Sequence, residues 1–285
     1  MGIETLVSDI YNLFDEPAME ADKEAAEALG KAIADTVVAR LTTPRTGSYL
    51  RMSNVGKGDR QVWYDLADDD EDHPSEVLQA HTKIKFLYGD ILEHLLLFLA
   101  KQAGHKVTAE QAEVEIEGVL GHIDAEIDDE LVDVKSASSY SWNKFNDATL
   151  LDEGKDPFGY IPQLSAYAEA RGKASGYFLV IDKTLGKLCL MEVDSMDMID
   201  PVERIKHMKE VVAHDEPPAR CHEAVPDGKS GNRKLGINCS YCSHKARCWA
   251  DINDGQGLRT FIYSTGPRYL TDVVKLPKVH EVVDA

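Results

Sequence analysis

The sequence predicts a mixed α/β fold, because helical and strand periodicities follow one another along a chain of 285 residues. Apolar residues recur every three or four positions over residues 82–104, as on one face of a long helix. Over residues 114–127 they recur at nearly every second position, which is typical of strands in an antiparallel pair. We therefore expect a central sheet packed against helices.

The other predicted elements follow the same two periods. Helices are predicted within residues 1–42, with Pro17 and Pro44 as breaks, and at residues 162–171 and 201–214. Strands are predicted at residues 131–135, 177–182 and 187–192, followed by a loop at 216–236 and an alternating segment at 261–263. We expect a helical N-terminal elaboration (1–80), a core (81–215) and a C-terminal lobe with tail (216–285), all in one compact unit.

The composition describes an acidic protein and restricts its partners. The chain has 31 Lys and Arg against 50 Asp and Glu, a formal charge of −19. A protein that bound nucleic acid over its whole surface would be basic, so any DNA-binding surface is expected to be local. The longest apolar run, residues 95–100, is far short of the roughly 20 residues that span a membrane. Because the N-terminus also lacks a secretory signal, we expect a cytoplasmic protein without membrane association.

A basic and aromatic patch is one candidate for such a local surface. Cations and aromatic residues are interleaved before the acidic stretch that begins near residue 65: Arg40, Arg45, Tyr49, Arg51, Lys57, Arg60, Trp63 and Tyr64. Surface cations also fall near one another by chance, and from the sequence alone that is the favoured interpretation.

An acid and a base occur together on the predicted strand at residues 131–135. Because side chains alternate along a strand, Asp133 and Lys135 share one face while the neighbouring valines point into the core. An exposed Asp–Lys pair of this kind contributes under roughly 1 kcal/mol and has no further meaning. On a core strand, however, half-burying both charges is costly and indicates a function.

Two further carboxylates are expected near this pair. A short turn at residues 128–130 folds the strand that carries Asp124 back against Asp133, and Glu93 lies on the preceding long helix. Carboxylate oxygens hold Mg²⁺ or Mn²⁺, and a nearby ammonium positions the attacking water and stabilises charge on a phosphate. The four residues therefore point to metal-assisted phosphodiester hydrolysis.

The order of these residues resembles the PD-(D/E)XK nuclease superfamily, and within it the RecB-like branch that includes lambda-exonuclease-like and CRISPR adaptation nucleases. The matching motifs are Gly89 with Glu93, Gly121-His-Ile-Asp124, Asp133-Val-Lys135 and Gln163-Leu-Ser-Ala-Tyr167. RecB-like members usually have a histidine where Glu93 stands, and the adjacent His94 leaves that ligand open. The resemblance implies a restriction-endonuclease-like core, with a mixed central sheet flanked by helices.

The resemblance also implies a role for each residue. Lys135 would position the attacking water. Gln163 and Tyr167, one helical turn apart, would touch or orient the DNA strand. The implied ligands of Mg²⁺ or Mn²⁺ are Glu93, Asp124, Asp133 and the carbonyl of Val134.

A cysteine cluster lies near the C-terminus. Cys239-x-x-Cys242 and Cys248 are spaced to wrap soft ligands around one metal centre, and in a reducing compartment metal ligation is favoured over disulfides. Cys221 is the best candidate for a fourth ligand. The spacing leaves both tetrahedral Zn²⁺ and a [4Fe–4S] cluster open.

Family resemblance favours the iron–sulfur cluster. Several RecB-like nucleases hold one on three C-terminal cysteines and one N-terminal cysteine, but the corresponding segment here, residues 53–60, has no cysteine. Either Cys221 replaces that ligand, or the site holds zinc with His222 or His244. The expected role is structural in both cases.

Together these features predict a Mg²⁺- or Mn²⁺-dependent deoxyribonuclease, which the resemblance makes an exonuclease in recombination, repair or phage DNA processing. DNA is the expected partner. A helicase or single-strand-binding protein is a further one, because the chain has no Walker A motif for an ATP-driven motor. Two alternatives remain open: a non-catalytic iron–sulfur or zinc DNA-binding protein on a nuclease-like fold, and a metal-dependent hydrolase of small phosphorylated substrates.

Overall fold

The computed structural model describes residues 2–15, 22–43, 49–67 and 79–282 of the chain. Its contacts divide into two compact units, the first formed by Met1–Gly56 with Gln79–His207 and the second by Lys57–Leu78 with Met208–Ala285. This differs from the predicted single unit with boundaries at residues 80 and 215. The N-terminal residues belong to the first unit because Leu6 and Ile10 are buried in the same core as Val132 and Leu179.

Helices and strands alternate along the described residues. The helices are α1 (Leu6–Asp15), α2 (Lys23–Thr42), α3 (Asp59–Leu66), α4 (Ala80–Gln102), α5 (Ser139–Asn146), α6 (Tyr160–Arg171), α7 (Pro201–Val212), α8 (Ile237–Ser240), α9 (Lys245–Cys248) and α10 (Ile252–Gly255). The strands are β1 (Val107–Thr108), β2 (Glu113–Ile116), β3 (Val119–His122), β4 (Ala125–Ile127), β5 (Glu130–Ala137), β6 (Gly176–Asp182), β7 (Leu188–Val193), β8 (Val225–Pro226), β9 (Arg233–Lys234), β10 (Arg259–Tyr263), β11 (Gly266–Asp272) and β12 (Glu281–Val282).

A five-stranded mixed sheet forms the centre of the first unit, in the order β1-β4-β5-β6-β7. Strands β5 and β6 are parallel, and the other neighbours are antiparallel. On one face, Leu6 and Ile10 of α1 and Leu96 of α4 form a core with Val132 and Val134 of β5. This face explains why the sequence shows apolar stripes on both helices.

The opposite face of the sheet is covered by α5 and α6. Phe178, which alternates along β6 with the core residue Leu179, packs against Phe145 of α5 with ring centroids 5.4 Å apart. At Gly176 an added Cβ would lie 3.0 Å from Leu164 of α6, so this helix also approaches the sheet closely. Helices therefore flank the sheet on both faces, and the predicted mixed central sheet is confirmed.

The long predicted helix is present as α4, and the predicted strands of the core are present as β4 to β7. Part of the alternating run at residues 114–127 forms a separate hairpin of β2 with β3 rather than joining the central sheet. Helix α5 was not predicted, because eight residues are too few to show a helical period; Ser138 caps it by accepting a hydrogen bond from the Ser141 backbone. Pro17 and Pro44 lie outside the described residues. Among the helices that are described, none has the length and apolar character needed to cross a membrane.

The second unit contains an antiparallel sheet in the order β12-β10-β11-β9-β8. One cluster of its buried apolar residues is formed by Ala224, Leu235 and Trp249. Helix α3 belongs to this unit: the Trp63 indole donates to the His214 carbonyl (2.8 Å) and the Arg60 guanidinium donates to the Pro218 carbonyl (2.7 Å). These contacts join residues far apart in the sequence, which is why α3 was not assigned to the C-terminal lobe.

Candidate active site

The turn between β4 and β5 places two carboxylates opposite each other. Ala125 pairs with Val132 and Ile127 with Glu130, so Asp124 lies across from Asp133 one step further along the ladder. The turn residues Asp128 and Asp129 both have positive φ, 51° and 67°, which suits the tight twist of a two-residue hairpin. The Asp124 carboxylate accepts a hydrogen bond from the backbone N–H of Val134 (2.7 Å), which fixes it beside β5.

The Lys135 ammonium forms an ion pair with Asp133 on the same strand. Asp133 is 2% exposed, so this is a buried pair and not the exposed surface pair considered above. Burial alone would lower the pKa of Lys135, but the carboxylates of Asp133 and Asp124 outweigh it and raise the pKa above the usual lysine value. Lys135 is therefore a fixed cation at the centre of an acidic cluster.

Glu93 of α4 is the third carboxylate of the cluster. Its side chain accepts a hydrogen bond from the Gln111 amide (2.6 Å), which favours the ionised form. Burial is the larger effect, and together with the charge of Asp133 it raises the pKa of Glu93 to about 7. Burial and the charges of Asp133 and Glu93 likewise raise the pKa of Asp124 well above its usual value. The three carboxylates are thus close enough to repel one another.

The donor set of this cluster suits a divalent cation. Mg²⁺ and Mn²⁺ prefer carboxylate and carbonyl oxygens, and a strand residue directs its N–H and C=O toward the same side, so the Val134 carbonyl faces the side on which Asp124 lies. In the part of the chain that the structure describes, no three His, Cys, Asp or Glu side chains converge tightly enough to hold a metal ion as placed. Asp124 is bonded to Val134 and Asp133 is paired with Lys135, so binding an ion requires these side chains to rearrange.

Glu93, rather than His94, joins the cluster. The imidazole of His94, about 100° around the helix from Glu93, lies 2.8 Å from the Thr36 hydroxyl of α2. Of the two candidates that the sequence left open, Glu93 is the one whose charge interacts with Asp124 and Asp133.

The two residues predicted to touch or orient DNA differ in burial. Tyr167 is only 4% exposed, and burial followed by the charge of Asp133 raises its pKa to about 12. Its hydroxyl accepts a hydrogen bond from the Gln163 amide (2.9 Å). The Tyr167 ring packs against the backbone at Gly121, where a Cβ would lie 2.9 Å from it. Gln163 is half-buried and is therefore the member of the pair more accessible to solvent.

Two residues of the site were missed in the sequence. Gln111 holds Glu93 from a loop position with positive φ, and no sequence signal marks it. The Tyr160 ring lies 5.3 Å from the Lys135 ammonium, in range for a cation–π contact. Its position three residues before Gln163 on the same helix face is a signal that could have identified it.

The cysteines predicted to bind a second metal lie in the second unit. Cys221, Cys239, Cys242 and Cys248 line one cavity of about 30 Å³ together with His222 and His244. Burial, followed by the neighbouring thiols, raises the pKa of Cys239 to about 11. His244 is engaged with Asp65 (2.8 Å). At Gly58 a Cβ would lie 2.5 Å from the Cys221 sulfur, so only glycine permits this approach of α3 to the cysteine.

The interleaved cations near residues 40–64 are divided between the two units, Arg40 and Arg51 in the first and Lys57 and Arg60 in the second. Arg40 forms a bidentate pair with Asp90 in the first unit, whereas Lys57 pairs with Asp65 in the second. Arg51 stacks on Tyr49 at 4.3 Å. Arg45 lies outside the described residues.

The raised pKa of Glu93 predicts how stability changes with pH. Without divalent cations, the folded protein binds a proton on Glu93 up to about pH 7, whereas the unfolded chain releases it near 4.5. Folding stability should therefore fall as pH rises from 4.5 to 7 and stay low above it. Glu93→Gln should remove this loss and stabilise the protein at pH 8 by roughly 1–3 kcal/mol, measured by urea unfolding in EDTA. The prediction would be contradicted if the free energy of unfolding changed with pH in the same way for the native protein and for Glu93→Gln. Glu115→Gln, on the exposed hairpin, is the matched control.

No protein-family model matches this chain, and no curated protein is similar to it. Among solved structures, it is similar to a protein named SSO0001, with 14% identity, a TM-score of 0.42, and coverage of 75% of this chain and 92% of that one. An alkaline exonuclease from Laribacter hongkongensis has 16% identity and a TM-score of 0.38, with 63% and 89% covered. A phage-related exonuclease from Haemophilus somnus has 15% identity and a TM-score of 0.30, with 73% and 89% covered. The neighbours include exonucleases, but similarity at this level carries no conclusion about function.

Proposed function

We propose that this protein is a metal-dependent nuclease of the RecB-like PD-(D/E)XK type, which hydrolyses phosphodiester bonds in DNA. The observation that carries the proposal is the cluster of Glu93, Asp124 and Asp133 around the buried ammonium of Lys135. The charge of Asp133 raises the pKa of both Glu93 and Asp124, so the three carboxylates leave excess negative charge at one place. A divalent cation relieves that repulsion, and cation and lysine together suit a phosphate.

Each residue of the cluster has a distinct task. Glu93, Asp124, Asp133 and the Val134 carbonyl would hold Mg²⁺ or Mn²⁺, whose chemistry is Lewis-acid polarisation of the phosphoryl group and a lowered pKa of water. Lys135, as a fixed cation, orients the attacking water and stabilises the negative charge that develops on the phosphate. The Tyr160 ring beside the ammonium limits its movement. Tyr167 fixes the Gln163 side chain through their hydrogen bond, and Gln163 orients the DNA strand.

The preferred mode is exonucleolytic, in recombination, repair or phage DNA processing. Family resemblance at the four motifs supports this choice. A helicase or single-strand-binding protein would supply unwound ends, because the sequence has no Walker A motif of its own.

The proposal is tested with end-labelled linear DNA and closed circular DNA of the same sequence. In Mg²⁺ or Mn²⁺, linear DNA should be degraded progressively from its ends while closed circles remain intact, and EDTA should stop the reaction. Cleavage of circles would keep the nuclease but reject the exonuclease mode. No cleavage of either DNA, with either metal, would favour the non-catalytic DNA-binding alternative. Faster turnover of a small phosphoester such as p-nitrophenyl phosphate would favour the small-substrate hydrolase.

The cysteine cavity is proposed to hold a structural metal centre. Four cysteines line one small cavity, and thiolates are the ligands that a [4Fe–4S] cluster prefers, with Zn²⁺ as the alternative. Like the carboxylates of the first unit, these side chains would have to move together to hold the metal. Cys221 is the proposed fourth ligand, since α3 approaches it directly through Gly58. The centre would join the loop that carries Cys221 to the segment that carries Cys239, Cys242 and Cys248 within the second unit.

A further inference from the structure

The second unit contains a cavity of about 520 Å³ that adjoins the cysteine cavity and has no part in the proposed chemistry. We call it the arginine pocket, because three arginines line it: Arg60, Arg220 and Arg247. Glu223, Trp249 and Asp251 are also part of its wall. In a protein with a charge of −19, three guanidinium groups at one cavity form a local excess of positive charge over the two carboxylates.

Aromatic rings hold each guanidinium group. The Arg220 guanidinium lies 4.3 Å from the Trp249 ring, Arg247 lies 4.6 Å from Tyr64, and Arg60 lies 5.4 Å from the same tyrosine. Stacking fixes the plane of a guanidinium group while its N–H groups remain at the edge, the arrangement that matches phosphate oxygens.

The hydrogen bonds already made by Arg60 leave one of its donors for a ligand. Arg60 donates to the Pro218 carbonyl, yet its buried Nε–H has no hydrogen-bond partner among the described residues. A buried donor without a partner is unfavourable, and an anionic ligand would supply the missing acceptor. Arg220 is partly neutralised, because it contacts Asp251 and donates to the Cys248 carbonyl (3.0 Å).

We propose that the arginine pocket binds phosphoryl groups, and that under the function proposed above these belong to the DNA backbone. The volume of the pocket exceeds the needs of a single phosphate ion. The indole of Trp63, 6.0 Å from Arg247, adds a ring next to the cations, and grooves that track a nucleic-acid strand combine cations with stacking rings in this way. The proposed DNA-binding surface is confined to this pocket, as expected for a protein whose overall charge is negative.

Arg247 is the residue to test. Burial raises the pKa of Cys248, and Arg60 and Arg220 partly offset that, so changes at those two arginines also act on the cysteine cavity. Arg247→Gln removes one positive charge and the fork, the planar set of N–H donors that can bind two oxygens of one phosphate. Arg259→Gln is the matched control, because Arg259 also stacks on a ring of the second unit but does not line the arginine pocket.

The experiment measures the Kd of the full-length protein for fluorescein-labelled duplex and single-stranded DNA from 50 to 300 mM NaCl in EDTA, so that no cleavage occurs. Arg247→Gln should weaken binding about tenfold and reduce the slope of log K against log salt by about 0.9 on duplex or 0.7 on single strands. Arg259→Gln should stay within about twofold of the native protein. Arg247→Lys, which retains the charge but not the fork, should restore the slope and only part of the affinity.

A second arm titrates inorganic phosphate into the same variants by calorimetry. Loss of phosphate binding in Arg247→Gln with unchanged DNA binding would retain the phosphoryl site and assign it to free phosphate. Unchanged binding of both DNA and phosphate in Arg247→Gln, with native thermal unfolding, would overturn the proposal. If Arg247→Gln does not fold, Arg247→Lys is used instead. Native affinity of Arg247→Lys for both DNA and phosphate would then also overturn the proposal. The binding assay contains no divalent cation, so its result does not depend on nuclease activity. If DNA binding depends on Arg247 but the protein never cleaves DNA, the phosphoryl site is supported and only the nuclease proposal is refuted.

Discussion

Lys135→Ala is expected to lower the rate of DNA cleavage in Mg²⁺ by about 100-fold or more, because the ammonium that stabilises developing charge is lost. Lys135 is the cation within the carboxylate cluster, paired with Asp133 and next to Tyr160. The fall should appear mainly in kcat, since a group that acts on the transition state contributes little to ground-state binding. Single-turnover cleavage of an end-labelled duplex measures it.

Two further variants separate chemistry from folding. Lys135→Met keeps the apolar stem of the side chain and should be as inactive as the alanine variant while retaining more stability. Lys187→Ala, an exposed lysine of the same unit, should cleave DNA within about twofold of the native rate. Cleavage by folded Lys135→Met at the native rate would remove Lys135 from the mechanism.

The second large effect is expected at the cysteine cavity. Serine at Cys239, Cys242 or Cys248 should abolish the bound metal and destabilise the second unit by at least about 3 kcal/mol, since metal binding contributes directly to folding in small units. Metal analysis after anaerobic purification, with the absorption spectrum, measures the loss: iron with a brown colour indicates the cluster, and colourless zinc the alternative. Cys189→Ser is the control, because Cys189 lies on β7 of the first unit and should leave the metal content unchanged.

Cys221→Ser identifies the fourth ligand. If Cys221 is a ligand, the serine variant should lose the metal as completely as the other three. Full retention of zinc in Cys221→Ser, with loss in a His222→Ala variant, would instead assign a three-cysteine, one-histidine site. Native protein that contains no metal after anaerobic purification would contradict both assignments.

The sequence predicted the part of the candidate site that depends on local structure. Asp133 and Lys135 lie on β5 and Asp124 directly precedes β4, and a two-residue turn joins the two strands, so alternation and the turn alone bring these residues together. Glu93 was predictable because the period of α4 fixes the face that carries it. The neighbours of Glu93 could not be predicted, because Gln111 reaches Glu93 from an irregular loop and no periodic pattern places such a side chain.

Long-range packing limited the remaining predictions. The motif containing Tyr167 predicted a DNA contact, but the burial of its ring depends on Met52 and Gly121, which approach from distant parts of the chain. The assignment of α3 to the second unit rests on side-chain hydrogen bonds from Arg60 and Trp63 to backbone carbonyls 158 and 151 residues later in the chain. Such contacts leave no periodic signal in a single sequence.

The most direct test of the account is a calorimetric titration of Mn²⁺ into the native protein and into Asp124→Asn, with Asp129→Asn as a control from the exposed turn nearby. We expect the native protein and the control to bind Mn²⁺ alike and Asp124→Asn to bind it at least about tenfold more weakly. Native protein that binds no divalent cation, or Asp124→Asn that binds it as tightly as native, would contradict the claim that these carboxylates share one metal ion.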